Sequence, residues 1–409
     1  MICSIWHHRY NQYMRLVPTL LLMALVVGGV WFGYTVSNPP YPEVAELGRL
    51  SEPSFQDLSD YFRELAEKKG APYAFEVLRR ATLPPDTDPH LLGHLVGDML
   101  YKQQGIGGIA RCTDDFRNAC SHSVVIGILS EHGEGSLPEI AKTCREAPGG
   151  TGAYTMCYHG LGHGVLAYVG YDLEAAVGMC ETMGTPEYRN REYIECVGGA
   201  VMEMIAGVHD PLAWERQFDT YFKESDPLYP CDAAFMPEAT RDICYTYLTP
   251  HLFTATGGLP ESSGPHDYRK AFALCESISE ARLQQREACF GGFGKEFVAL
   301  ANGRDIRDVG RMEEPALRDV RTWCSQAGSE DAEAACNTHA LSSLFWGGES
   351  IPDAAFSFCA IAEGKEQTRC YWELSEKIQY YLEGTVRGYS LCARLPEAFR
   401  IPCGARSMF

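Results

Sequence analysis

Basic residues are scarce in this chain. Over 409 residues, 35 Lys and Arg stand against 54 Asp and Glu, a formal net charge of −19. The only charges in the first 37 residues are Arg9 and Arg15, so the rest of the chain is more acidic than the total. That balance excludes nucleic acid and anionic lipid as electrostatic partners. C-x-x-C occurs nowhere, which removes a c-type haem site and a zinc ribbon. H-E-x-x-H is absent, and no glycine-rich run has the spacing of a phosphate loop. None of the six asparagines starts an Asn-x-Ser/Thr sequon, which suits a bacterial periplasm somewhat better than a eukaryotic lumen. No alternating apolar–polar run is sustained, so strands are not expected.

Long apolar runs are confined to one place. Leu16 to Val36 contains no charge and is long enough to cross about 30 Å of hydrocarbon. No convincing small-residue cleavage site follows it, so it reads as an anchor rather than a signal peptide. Arg9 and Arg15 on its amino side place residues 1–15 in the cytoplasm by the positive-inside rule, with everything after 37 outside. The expected localisation is the inner or plasma membrane, single pass, with the C-terminal domain periplasmic or extracellular.

Cysteine is the opposite of scarce, at 17 residues, a usage that argues for an oxidising compartment. Cys3 stands alone on the cytoplasmic side. The other sixteen form eight successive pairs. Cys112 goes with Cys120, Cys144 with Cys157, Cys180 with Cys196, and Cys231 with Cys244. Cys275 goes with Cys289, Cys324 with Cys336, Cys359 with Cys370, and Cys392 with Cys403. Members of a pair are 8 to 16 residues apart, and pairs recur every 32 to 51 residues. A beat of roughly 40 residues is that of a helix-hairpin repeat. A helix-like run precedes each first Cys, polar turn material lies between, and a small-residue apolar helix follows each second Cys. Two helices joined by a short loop bring such cysteines within bridging distance. The expected fold is all-α: a disulfide-stapled array of helical hairpins, an α-solenoid with the architecture of tetratricopeptide-type arrays but without their residue signature. The expected organisation is a cytoplasmic tail (1–15), the transmembrane anchor (16–37), a linker (38–52), an N-terminal helical segment (53–105) broken at Gly70-Ala71-Pro72, and Cys-paired repeats (106–409).

Histidine is unevenly spread. His90-x-x-x-His94 and His159-x-x-x-His163 both have the i,i+4 spacing that puts two imidazoles on one helical face. Asp98 continues the first stripe. His122 follows Cys120 by two residues, as His159 follows Cys157; later repeats have no histidine at that position. Gly160, Gly162 and Gly164 surround the second pair and cost about 1 kcal/mol each inside a helix, so a closely approaching backbone or ligand should compensate. Glu203 occupies nearly the same register one repeat later. His90, His94, His122, His159 and His163 are therefore the candidate ligands of one ion. Glu203 is a candidate carboxylate ligand, and Asp98 a ligand or supporting partner. Zn, Fe and Cu suit this ligand set. His132, His209, His251, His266 and His339 are scattered and receive no role. Gly291 to Glu296 reads as helix packing, and no catalytic residue is assigned.

Two functions remain: a membrane-anchored extracytoplasmic protein with a histidine-rich transition-metal site in its N-terminal repeats, or a scaffold without metal or catalysis whose surface binds a protein or an envelope polymer.

Overall fold

A computed structural model describes residues 41–404 apart from 51–52, 85–86, 114, 147–149, 208, 224, 258–265, 348–351 and 383–384. The expected anchor at 16–37 lies outside the described residues, as does Cys3, and among the described ones no helix is long and apolar enough to cross a membrane. The chain divides into two compact units, residues 1–52 with 80–83 and residues 53–79 with 84–409. In the first, the Arg80 guanidinium lies 4.8 Å over the Tyr41 ring beside helix Pro42–Leu47. The histidine-bearing helices all belong to the second.

That unit is helical, with no strand among its described residues beyond one isolated bridge, Lys223 to Asp226. The opening helices obey local signals. Ser54 and Asp57 exchange side-chain and backbone hydrogen bonds to start helix Phe55–Lys69. Gly70, at φ 92°, ends it where the sequence predicts a break. Helix α1 (Pro89–Gln104) starts on Asp88, whose carboxylate accepts from the His90 and Leu91 amides at 2.8 and 3.3 Å.

Eight further helices each carry the second cysteine of a pair. They are α2 (Ala119–His132) with Cys120, α3 (Gly150–Tyr168) with Cys157, α4 (Arg191–Ala206) with Cys196, and α5 (Glu238–Tyr247) with Cys244. Then come α6 (Leu283–Ala301) with Cys289, α7 (Glu330–Gly347) with Cys336, α8 (Gly364–Leu382) with Cys370, and α9 (Glu397–Gly404) with Cys403. From α1 to α9, each packs against the next in chain order.

All eight expected disulfides form. Cys112 bridges to Cys120, Cys144 to Cys157, Cys180 to Cys196, and Cys231 to Cys244. Cys275 bridges to Cys289, Cys324 to Cys336, Cys359 to Cys370, and Cys392 to Cys403. Their Cα–Cα distances run from 5.3 to 5.6 Å, well inside the range a disulfide spans. In the chain-entropy picture each closed loop of this length is worth about 2.5–3 kcal/mol.

The expected helix before each first cysteine is present in six cases and missing in two. Cys112 follows the 3-10 turn Gly105–Arg111, whose three glycines do not sustain an α-helix. Cys231 lies in turns where Pro227 and Pro230 remove two backbone donors.

The later helices also return to the earlier ones. α8 packs on α3, Arg117 donates to Ser343 Oγ at 3.1 Å, and Arg307 donates to the Leu78 carbonyl at 3.1 Å. In an open solenoid each repeat touches only its neighbours; here the second half closes onto the first, and this brings α6 beside the histidine-bearing helices.

The glycines around His159 and His163 are where helices cross. A Cβ on Gly162 would sit 1.9 Å from the Cys196 carbonyl oxygen, and one on Gly199 would sit 1.9 Å from that of His159. α3 and α4 thus meet backbone to backbone.

Candidate metal centre

The i,i+4 spacing does what helical geometry requires. His90 and His94 share the buried face of α1, with ring centroids 4.6 Å apart. His122 comes from α2, at 5.8 Å from His90 and 5.5 Å from His94. His163 on α3 is 5.8 Å from His94 and 6.0 Å from His122. His159 sits at the margin, 5.8 Å from His122 and 5.2 Å from His163, and packs 5.0 Å from the Tyr247 ring. The five sequence-derived histidines therefore come together, and all are buried.

Sequence reasoning missed a sixth. His209 lies 5.6 Å from His94 and 6.1 Å from His163. It follows the left-handed cap Gly207 (φ 64°) at the end of α4, a turn that folds the chain back over Glu203. No helical spacing announces such a residue; the Gly207 stop signal followed closely by histidine was the only cue.

Hydrogen bonds fix which ring nitrogens carry protons. His90 Nδ1 lies 2.6 Å from the Phe116 carbonyl, which only accepts, so Nδ1 is the donor. Ser123 Oγ donates to the His94 carbonyl at 2.8 Å and so accepts from His94 Nδ1 at 3.2 Å. Asp98, whose carboxyl burial holds above the ordinary range, also meets the Ser123 hydroxyl, and so stands behind His94. Both protons being assigned to Nδ1, the two Nε2 atoms point lone pairs at each other across 3.1 Å.

Glu203 organises the other side. Its Oε2 accepts from His163 Nδ1 at 3.0 Å and from His209 Nδ1 at 2.8 Å. Its Oε1 accepts from the His209 amide at 3.0 Å and from the Tyr171 hydroxyl. Burial alone would raise this carboxyl, but these donors hold it well below the usual range. With Nδ1 spoken for, the Nε2 atoms of His163 and His209 are left buried and unbonded. Neither nitrogen of His122 has a well-formed hydrogen bond, although the Met156 backbone lies near enough to favour the protonated ring.

Two groups offer ligand atoms within 4.8 Å of one another: His90, His94 and His122, and His163, Glu203 and His209. His159 belongs to neither; its Nδ1 is 3.8 Å from Glu195 Oε2, too long for a hydrogen bond. Asp98 belongs to neither as well.

Burial, reinforced by the neighbouring rings, pushes His94, His122 and His159 well below the ordinary histidine value. Burial also pushes His90 down, to about 4. His209 goes the other way, because the Glu203 carboxylate outweighs its burial. For the depressed group the unfolded chain takes up protons first as pH falls. Its stabilising contribution is complete above about 6.5 and is lost on the way toward pH 4. His209 alone contributes in the opposite sense, with stability present below 6.5 and lost above its folded value. Metal-free protein is therefore expected to melt at progressively lower temperature between pH 7 and 5. A flat profile from thermal melts in chelator would show that the rings are not buried as a neutral cluster.

Comparison of the chain with protein-family models, with curated proteins and with solved structures finds no match.

Proposed function

We propose that this protein is an exported helical metalloprotein whose buried histidine cluster holds a transition-metal ion. One observation carries the reading: the Nε2 atoms of His90 and His94 face each other at 3.1 Å in a buried site, while each Nδ1 already has an oxygen partner. With both ring protons on Nδ1, two neutral acceptors would repel at that distance, and burial disfavours adding a further proton between them. Ligands of one zinc-sized ion with bonds of about 2.0–2.1 Å are separated by roughly 3–3.5 Å, so a cation resolves the conflict.

His90, His94 and His122 supply the first ligand group. Glu203 orients His163 and His209 as a carboxylate typically orients metal-binding imidazoles, and the second group adjoins the first through His94. Asp98 and Ser123 hold the His94 ring. Imidazole-rich sites suit Zn, Fe or Cu. Three protein ligands leave positions for water or a substrate. The hairpin helices form the supporting repeats. Elemental analysis of the purified full chain tests the reading: at least one equivalent of a transition metal is expected, and a chain that neither contains nor takes up one would overturn it.

The eight disulfides support an oxidising compartment, and we place residues 38–409 outside a membrane crossed by residues 16–37. A reporter active only in an oxidising exterior, fused after Phe409, should be active; activity from a cytoplasm-only reporter instead would refute the topology.

A further inference from the structure

A cavity of about 140 Å3 adjoins the histidine cluster. His90, His122 and His159 form one wall, and α6 with the segment after it forms the other, through Lys295, Glu296 and Arg304. Arg117, just before α2, and Tyr247 at the end of α5 also line it. Two acids reach the cavity: Asp88, which caps α1, and Glu296, which takes the Lys295 ammonium at 2.6 Å and also faces Arg117 and Arg304. Arg117 holds Ser343 Oγ as well. Three cations against these two acids leave an excess of one positive charge at the cavity, in a chain of net charge −19. Lys295 and Glu296 remain partly exposed, at 19 and 18%, and so mark its mouth.

One observation points to a ligand. His122 and His159 are buried, and both nitrogens of the first and Nδ1 of the second lack hydrogen bonds. Both residues line the cavity, so these polar atoms are placed to meet whatever fills it.

We propose that the cavity binds a small molecule bearing phosphate or carboxylate oxygens, held by Arg117 and Arg304, with its other end directed at the face of His122. Guanidinium groups recognise both oxyanions through paired N–H donors. The cavity admits a ligand of several non-hydrogen atoms and is too small for a polymer. The ligand's contact with a metal rests on the metal-centre reading; its anchoring by the arginines does not.

The test uses the full chain in detergent, metal-loaded and chelator-stripped, titrated calorimetrically with inorganic phosphate and with succinate. At least one anion should bind. Phosphate alone identifies a phosphate-bearing ligand, and succinate alone a carboxylate. Arg304→Gly removes the guanidinium while suiting the left-handed backbone there (φ 61°), so its melting temperature should equal or exceed that of the parent. Metal content should not change, and affinity for the anion should fall at least tenfold. No binding of either anion to the metal-loaded chain, or full affinity in Arg304→Gly, would overturn the cavity proposal whatever the metal content. Anion binding by a chain that takes up no metal would retain the cavity site and remove the metal centre.

Discussion

Replacing His94 by alanine is expected to strip the protein of its ion. The His94 ring is the one that lies within 6 Å of His90, His122, His163 and His209 together; it is a member of the first ligand group and adjoins the second. Loss of one imidazole from a three-ligand set should reduce bound metal to less than roughly a tenth of the parent's after dialysis against a weak chelator. Glu203→Gln supplies the graded companion. Gln keeps the shape but not the charge or the second acceptor: with its oxygen on the Nδ1 protons of His163 and His209, its NH2 confronts the His209 amide donor, and flipped it leaves both Nδ1 protons unpaired. Supporting carboxylates of this kind are worth roughly 10- to 100-fold in metal affinity. Competitive titration with a chromophoric chelator measures both. Parent-like affinity in His94→Ala would remove the metal reading at its centre.

Gly162→Ala, like a methyl at Gly199 or Gly294, should be among the most damaging small changes in the molecule. On helix propensity alone the change would stabilise α3 by about 1 kcal/mol. The new Cβ, however, would meet the Cys196 carbonyl oxygen at 1.9 Å and its carbon at 2.8 Å, and both belong to backbone. No side chain can rotate away, so α3 and α4 must separate where they cross. Overpacking of this sort costs about 1–3 kcal/mol when neighbours can adjust, and here they cannot, so a loss of at least about 3 kcal/mol is expected. Gly178→Ala is the matched control. It lies in helix Leu173–Glu181 with nothing within 4 Å of its added Cβ, and should melt at or slightly above the parent temperature. Thermal melts of the two side by side decide the matter. An undamaged Gly162→Ala would mean the helices do not cross as described.

These two sites also show where sequence reasoning reached and where it stopped. Helical content, the eight bridges and the convergence of five histidines follow from short-range periodicity, which a sequence displays directly. The glycine cost around His159 was visible too, but not its compensation: Gly160 makes room for His122, and Gly162 for Cys196. The compensating contact is a helix backbone or side chain at each position, so the glycines bear on packing and are neutral about a ligand. His209 escaped because a left-handed turn, not a helical repeat, delivers it. Lys295 was read as part of a packing segment, and Arg117 and Arg304 carry no motif at all. Lys295 and Arg304 reach the cavity beside His122 only because α6 and its following segment come back onto the early helices, a tertiary event that no local pattern encodes.

The bridges close only short stretches, from 8 to 16 residues, and none reaches beyond its own hairpin. In a chain translocated amino end first, the first cysteine of each pair would therefore find its proper mate in the next one to emerge. At about 5–20 residues per second the wait is on the order of a second or two, and the following pair arrives only after a longer gap. Oxidation in simple order of emergence yields the native connectivity, so the spacing of the thiols acts as a schedule for assembly as well as a set of staples.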